Sequence, residues 1–303
     1  MSLISSPIMK DVIAGGVCGI TAAIISHPLE TLFIHLQNNL LGSNKNIFYS
    51  ILSIYKKQGL IDGFYRSNLS LPLISPALVM STQFLLYGQI SRHLHNRQND
   101  SERTIGKCFL AGALAGFGSS FIETPISLVN GQIEGHLYLR HTHAFDFHVK
   151  DCCKYIYECN GGLRGFYKGF FANLIFSIPT SMFYFGGYEY VKNHLYQTHT
   201  RIFGYTKNDK HLRMGILFSG AAGGLCAWSI CYPLNRIRSE IQSDDLRRER
   251  RKYTSYIDCV KQMYQHQNSV RTFYRGFLRG ISKAIPINAA CFLAYEEVYR
   301  LME

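Results

Sequence analysis

Residues 15–28, GGVCGITAAIISHP, contain the landmark from which the organisation of this 303-residue chain can be worked out. Gly15 and Gly19 stand four residues apart, and Pro28 follows Gly19 by nine. The same spacing returns in GALAGFGSSFIETP, residues 112–125, and in GAAGGLCAWSICYP, residues 220–233. A pattern that recurs at a regular interval indicates a structural repeat. We interpret its glycines as packing residues that let neighbouring helices approach each other. The sequence therefore predicts one domain, 1–303, made of repeats at 9–97, 104–197 and 211–303.

Each repeat has two apolar segments, and an aromatic–basic element precedes the second. The elements read Phe64-Tyr65-Arg66-Ser67, Phe166-Tyr167-Lys168-Gly169 and Phe273-Tyr274-Arg275-Gly276. The apolar segments cover 11–36, 69–91, 108–133, 170–192, 214–241 and 277–299. Each is about as long as the ~20 residues that cross a bilayer. Charges within them, which are costly in lipid, are expected to face the interior of a bundle. We predict an all-α membrane protein with six transmembrane helices around a solvated path.

The long linkers inside the repeats contain short helical patterns over 47–58, 145–159 and 256–265. Their apolar spacing predicts helices that lie on the membrane surface, with soluble cap helices as the alternative. The three linkers hold 17 Lys and Arg, whereas the N-terminus and the two connections on the opposite side hold 10. By the positive-inside rule, this bias places the long linkers on the inner, matrix-like side of the membrane. Both termini are therefore expected opposite the linkers.

Composition argues against several classes of protein. The net charge of +12 is compatible with nucleic acid, anionic lipid or an anionic substrate. The basic run Arg247–Lys252 lies in a linker, where a lipid-facing role is more typical than nucleic-acid binding. Nine cysteines lack metal-binding spacing, and His141, His143 and His148 fit a solvated loop. No catalytic constellation is present, so we expect no enzyme activity, metal or cofactor.

The sequence resembles the mitochondrial carrier family. Three stretches carry the resemblance, and we call them the signature stretches: Pro28-Leu29-Glu30-Thr31-Leu32-Phe33, Pro125-Ile126-Ser127-Leu128-Val129-Asn130 and Pro233-Leu234-Asn235-Arg236-Ile237-Arg238. The resemblance implies a multi-pass protein of the mitochondrial inner membrane, functional as a monomer, with linkers in the matrix and termini in the intermembrane space. It also implies transport of a small-molecule substrate by alternating access, in which two gates open in turn on either side of a central binding site.

In the family pattern, an acid in one repeat pairs with a base in the next to close the matrix gate. The acidic positions here hold Glu30, Ser127 and Asn235, and the basic positions hold Phe33, Asn130 and Arg238. No complete ion pair is expected there, which predicts a weakly held gate and net transport besides exchange. The expected gate residues are Pro28, Glu30, Gln37, Pro125, Asn130, Pro233, Arg238 and Gln242, and at the opposite end Glu189, Lys192 and Glu296.

The substrate site is expected on the second helix of each repeat, at a common distance from the aromatic–basic element. The candidates are Ile74, Ser75, Phe176, Ser177, Arg279 and Lys283, with Arg236 as an addition from the third signature stretch. Arg279 and Lys283 lie one turn apart, so they share a helix face and favour an anion, such as a nucleotide or another phosphorylated or carboxylated solute. An amino acid is the alternative substrate, and a non-transporting adaptor or insertion factor is the alternative function. Glu123 is a possible partner for a cation in the cavity.

The resemblance also implies a lipid site where the second helix of a repeat begins. The residues are Tyr167, Lys168 and Gly169 in the second repeat, and Tyr274, Arg275 and Gly276 in the third. Free amide donors at a helix N-terminus attract phosphate groups. Cardiolipin is therefore the expected lipid partner.

Overall fold

A computed structural model describes residues 7–37, 51–52, 55–56, 59, 70–96, 105–139, 149–203, 210–267 and 269–301. Within these residues the secondary structure is helical, without a strand. The helices are α1 (Pro7–Gln37), α2 (Ser70–Asn96), α3 (Ile105–Leu139), α4 (Val149–Cys159), α5 (Phe170–Phe203), α6 (Lys210–Ser243), α7 (Tyr256–Gln267) and α8 (Phe277–Leu301). Short 3₁₀ turns at 162–167, 248–250 and 270–274 lie in the linkers.

Apart from residue 69, which lies outside the described residues, the six predicted apolar segments fall within the six long helices, α1, α2, α3, α5, α6 and α8, whose helical structure is confirmed. The second and third linker helices are also confirmed, as α4 and α7. Most of the predicted helix at 47–58 lies outside the described residues, as do His141, His143 and His148. Among the described residues, the stretches Pro7–Leu29 and Ile105–Ile133 are long and apolar enough to cross a membrane.

The long helices form a closed ring in chain order. Each packs against the next, α1 on α2, α2 on α3, α3 on α5, α5 on α6 and α6 on α8, and α8 returns to α1. Each repeat therefore contributes one neighbouring pair. We call the end of the ring near α4 and α7 the linker end, and the end with the two termini the terminal end.

Glycines bring the two helices of a repeat into backbone contact. A Cβ atom on Gly15 would lie 2.8 Å from the carbonyl oxygen of Met80, and one on Gly112 would lie 2.7 Å from that of Ser181. Since backbone cannot move aside, a side chain at either position would separate the helices. These contacts confirm the predicted packing role of the glycines in the first two repeats.

All three signature prolines lie inside long helices rather than at their ends. Pro28 is in α1, Pro125 in α3 and Pro233 in α6. A proline removes one amide donor and its ring clashes with the preceding turn, which favours a bend. The gating role of these bends stays a prediction.

The middle of the ring is filled by an aromatic core cluster, whose members come from five helices: Cys18, Ala22, Phe84, Tyr184, Phe185, Tyr188, Ala227 and Cys291. The ring of Phe185 on α5 stacks on Tyr87 of α2, with centroids 4.2 Å apart, and meets Phe84 edge-on at 5.1 Å. Because α2 and α5 are not neighbours in the ring, these contacts cross the interior.

Candidate substrate and gating site

Five side chains from three helices meet inside the ring near the linker end. We call this group the charged cluster; its members are Glu123 on α3, Asn173, Phe176 and Ser177 on α5, and Arg238 on α6. Asn173 and Ser177 are three and seven residues from the start of α5. At 1.5 Å per residue, the cluster lies roughly 5–10 Å inside the linker end.

An ion pair between Arg238 and Glu123 organises the cluster. Nη1 of Arg238 donates to Oε1 of Glu123 at 2.7 Å and to Oδ1 of Asn173 at 2.9 Å. The guanidinium carbon lies 4.2 Å from the centre of the Phe176 ring, a cation–π geometry. The two charged side chains are only 17% and 13% exposed, so water screens their attraction weakly.

The neighbours of the ion pair are themselves held in position. The other carboxylate oxygen of Glu123 lies 3.0 Å from the hydroxyl of Ser177. The amide of Asn173 donates to the hydroxyl of Thr124 at 3.0 Å, which orients its carbonyl oxygen toward Arg238. Asn173 and Ser177 are buried. The cluster is therefore preorganised by hydrogen bonds before any ligand arrives.

This arrangement corrects one expectation about the gate, that Arg238 contacts Ser127. Instead Arg238 pairs with Glu123, and the hydroxyl of Ser127 accepts a hydrogen bond from Nε2 of Gln242 at 2.9 Å. Glu123 precedes Ser127 by four residues, so both lie on one face of α3, one turn apart. The expectation that Glu123 pairs with a cation inside the bundle is confirmed.

A second set of bonds, which the sequence did not indicate, fastens the linker end. Nε2 of Gln132 on α3 donates to the carbonyls of Gln242, at 2.6 Å, and of Asp244, at 3.0 Å. Nζ of Lys168 donates to the carbonyls of Asp244, at 2.6 Å, and of Asp245, at 3.0 Å. We call these contacts the linker strap. They bind α3 and the start of α5 to the last residues of α6.

Burial changes the acid–base behaviour of Lys168. Removal from water disfavours the ammonium form and lowers the pKa of Lys168 to about 8, with the nearby charge of Arg251 acting in the same direction. The carboxylates of Asp244 and Asp245 oppose this shift. Lys168 therefore changes charge near neutral to mildly alkaline pH.

The remaining candidates of the second helices lie on α2, which carries Ile74 and Ser75, and on α8, which carries Arg279 and Lys283. Ser75 is buried on α2. Ile74, Arg279 and Lys283 belong to helices, but their side chains lie outside the described residues. Ser75, Ser177 and Lys283 stand five, seven and six residues from the start of their helices, hence at similar depth.

Arg236 does not belong to the charged cluster. It forms an ion pair with Glu240, one turn further along the same helix. Arg238 follows Arg236 by two positions, which corresponds to about 200° around a helix. The two arginines therefore point in nearly opposite directions from α6.

At the terminal end, Glu189 is buried and Nζ of Lys192 lies 5.1 Å from the centre of the Tyr188 ring. The side chains of Glu296, and of Glu30 and Gln37 at the linker end, lie outside the described residues. The pair between Lys192 and Glu296 stays a prediction.

One acidic residue at the terminal end was not predicted from the sequence. The carboxylate of Asp11 on α1 is 1% exposed and pairs with Arg92 on α2. Both residues belong to the first repeat, so this pair joins two helices of one repeat and does not bridge repeats. It differs in this respect from the pair between Glu123 and Arg238.

The predicted lipid-binding residues of the second repeat line a cavity of about 360 Å³. Tyr167, Lys168 and Gly169 line it together with Tyr253, Thr254 and Ser255, which precede α7. Arg164 and Arg251 also line it. Gly169 and Gly276 have φ of 77° and 88°, which are left-handed conformations that glycine adopts without strain. Tyr274 packs on Tyr232, whose hydroxyl donates to the carbonyl of Arg275 at 2.9 Å.

Comparison with known proteins agrees with the threefold organisation. Residues 5–98, 101–199 and 212–303 each match the family model described as mitochondrial carrier protein. The Dictyostelium discoideum mitochondrial substrate carrier family protein S is 28% identical, over 97% of this chain and 98% of its own length. The mouse mitochondrial carnitine/acylcarnitine carrier protein is 28% identical, over 95% and 92%. The Saccharomyces cerevisiae mitochondrial ornithine transporter 1 is 26% identical, over 96% and 95%.

Proposed function

Since the chain belongs to the mitochondrial carrier family, we propose that its six long helices span the mitochondrial inner membrane and transport a small metabolite by alternating access. The observation that carries this proposal is the ion pair between Glu123 and Arg238 inside a ring of helices. Charged groups at such depth are costly unless they serve a solvated path or a ligand. In a transporter, a pair that bridges two repeats can form in one state and separate in the other.

The orientation proposed from the sequence places the linkers in the matrix and both termini in the intermembrane space. The excess of Lys and Arg in the linkers supports it. The linker end of the ring is then the matrix gate. The charged cluster and the linker strap close it, and the aromatic core cluster closes the path toward the terminal end.

A carboxylate is the group that we propose the substrate presents to the protein. Arg238 lies in the charged cluster, and α8 carries Lys283 at a similar depth, with Arg279 one turn nearer the linker end. Cationic side chains recognise carboxylates by charge-assisted hydrogen bonds. Two of the three relatives described above are named for carnitine/acylcarnitine and for ornithine, which contain a carboxylate, and none of the three is named for a nucleotide. An amino-acid-like carboxylate thus has better support than a nucleotide.

Cardiolipin is the lipid that we propose for the cavity beside Tyr167. The cavity is lined by Arg164 and Arg251 and lies between the starts of α5 and α7, where free amides favour phosphate. Lys168 contributes differently from the sequence-based expectation, since its ammonium group already donates to two carbonyls. The protein is proposed to act as a monomer.

Transport by the purified protein in liposomes tests the proposal. We expect uptake of external L-carnitine or L-ornithine into vesicles loaded with the same solute, and slower unfolding on heating when that solute is present. Absence of both effects for these solutes, glutarate and ATP would overturn transport and favour a non-transporting adaptor.

For the lipid, addition of cardiolipin is expected to raise the unfolding temperature more than phosphatidylcholine does, and equal effects would overturn the lipid site.

A further inference from the structure

We infer that Glu123 and Arg238 form both the matrix gate and the substrate site, and that the substrate is a zwitterion whose cation binds Glu123 and whose carboxylate binds Arg238. The inference rests on the proposed transport function. It assigns Glu123 a role as a residue that selects the substrate, which its place outside the signature stretches does not indicate.

The ion pair between Glu123 and Arg238 bridges two repeats of the ring. Glu123 lies on α3 and Arg238 on α6, in different repeats, with α5 between them. The bridge therefore crosses the repeat boundary, and the helices cannot separate at this level while it is intact. The expected contact partner, Ser127, forms a neutral bond with Gln242 instead.

The ion pair that forms the gate is in direct contact with two candidate substrate residues. Phe176 and Ser177 were predicted to contact substrate, and they touch Arg238 and Glu123 respectively. A solute that binds Phe176 and Ser177 must therefore meet both charges. No further element is needed to transmit its arrival to the gate.

Arg238 retains one hydrogen-bond donor that none of the described residues uses. Within the part of the chain that the structure describes, its Nε is buried and has no hydrogen-bond partner. A buried donor without a partner lowers stability, and an incoming oxygen atom removes that penalty. A carboxylate that approached along the Nε edge would engage two nitrogens of the guanidinium, the arrangement that arginine prefers.

Charge balance within the pair of Glu123 and Arg238 then favours one class of substrate. A carboxylate without a cation would take Arg238 and leave Glu123, which is largely buried, unpaired. A cation without a carboxylate would leave Arg238 unpaired in the same way, and an isolated buried charge is strongly unfavourable. A zwitterion exchanges one ion pair for two and leaves neither of the two buried charges unpaired.

Uptake by reconstituted protein tests this with four probes. L-Carnitine and L-ornithine carry both charges, glutarate carries only carboxylates and putrescine only ammonium groups. We expect initial uptake of at least one zwitterion to exceed that of glutarate and putrescine by roughly 10-fold or more, the value of one charged hydrogen bond. Uptake of glutarate at an equal or higher rate would overturn this inference and leave the transport function intact. Failure of all four probes and ATP would overturn the transport function itself.

Glu123→Gln separates a specific role from a structural one, because it keeps the shape and removes the charge. We expect roughly 10- to 100-fold slower uptake of the zwitterion, a smaller loss for glutarate, and faster net efflux into solute-free buffer. Glu123→Asp is expected to restore part of the preference. Glu158→Gln, which breaks the exposed pair with Lys154 on α4, is the matched control and should match the wild type. An unchanged preference in Glu123→Gln, or an equal loss for every solute without faster efflux, would overturn the inference.

Discussion

Gly88 on α2 lies directly against the carboxylate of Asp11 on α1. A Cβ atom at position 88 would overlap that carboxylate, which is buried and paired with Arg92. The first repeat thus has no side chain where the second has Glu189, and an acid from the neighbouring helix occupies the space. The pair between Asp11 and Arg92 depends on this vacancy.

Gly88→Ala is therefore expected to destabilise the protein, although alanine favours a helix over glycine by about 1 kcal/mol. The methyl group must displace Asp11, and overpacking of this kind costs about 1–3 kcal/mol. Thermal unfolding in detergent should show a lower midpoint. Gly106→Ala, at a helical glycine with no atom near the added Cβ, is the control and should not lower it. An unchanged midpoint for Gly88→Ala would contradict the contact.

Two adjacent glycines on α1 should respond differently to the same change. A Cβ on Gly15 meets backbone atoms of Met80 and Ser81 at 2.8 Å, whereas one on Gly16 meets only the Ser81 hydroxyl, at 3.1 Å. A hydroxyl can rotate away, but backbone cannot. Gly15→Ala should lower the unfolding midpoint, with a loss of about 1–3 kcal/mol, and Gly16→Ala should have a smaller effect. Equal effects would show that α1 and α2 are further apart than the structure indicates.

The linker strap is expected to limit net leakage of solute through the protein. Gln132→Leu removes two hydrogen bonds from the end of α6, with a loss of about 1–3 kcal/mol. Net efflux of a preloaded solute should rise relative to its exchange, because the state that is closed at the linker end is less stable. Gln265→Leu, at an exposed position of α7, serves as the control. The strap has no gating role if both variants leave the ratio of efflux to exchange at the wild-type value.

The pKa of Lys168 predicts how stability depends on pH. Its value in the folded state, about 8, lies below the ordinary value of 10.5, so the unfolded chain binds the extra proton between those two values. Stability attributable to this group should therefore rise as the pH increases from 8 toward 10.5. In Lys168→Met this contribution disappears, and the unfolding midpoint should rise less over the same interval. Parallel curves for the two proteins would contradict the burial of the ammonium group.

The residues that the sequence placed correctly share a local signal. Gly15, Gly112 and the prolines recur at a fixed spacing, and apolar runs of sufficient length form helices wherever they pack. The start of each second helix was visible in the elements that end at Gly169 and Gly276, where a left-handed glycine is required. None of these inferences needs the rotation of one helix relative to another.

The sequence alone determined three repeats, six long helices, two linker helices and the packing role of the glycines, because these follow from patterns along the chain. Only the tertiary structure decided that Arg238 pairs with Glu123 rather than Ser127, that Asp11 reaches Arg92, and that Gln132 fastens α6. Each of these contacts joins residues far apart in sequence. Whether a carboxylate one turn away is the nearer partner depends on helix rotation and tilt, which packing of the whole ring sets.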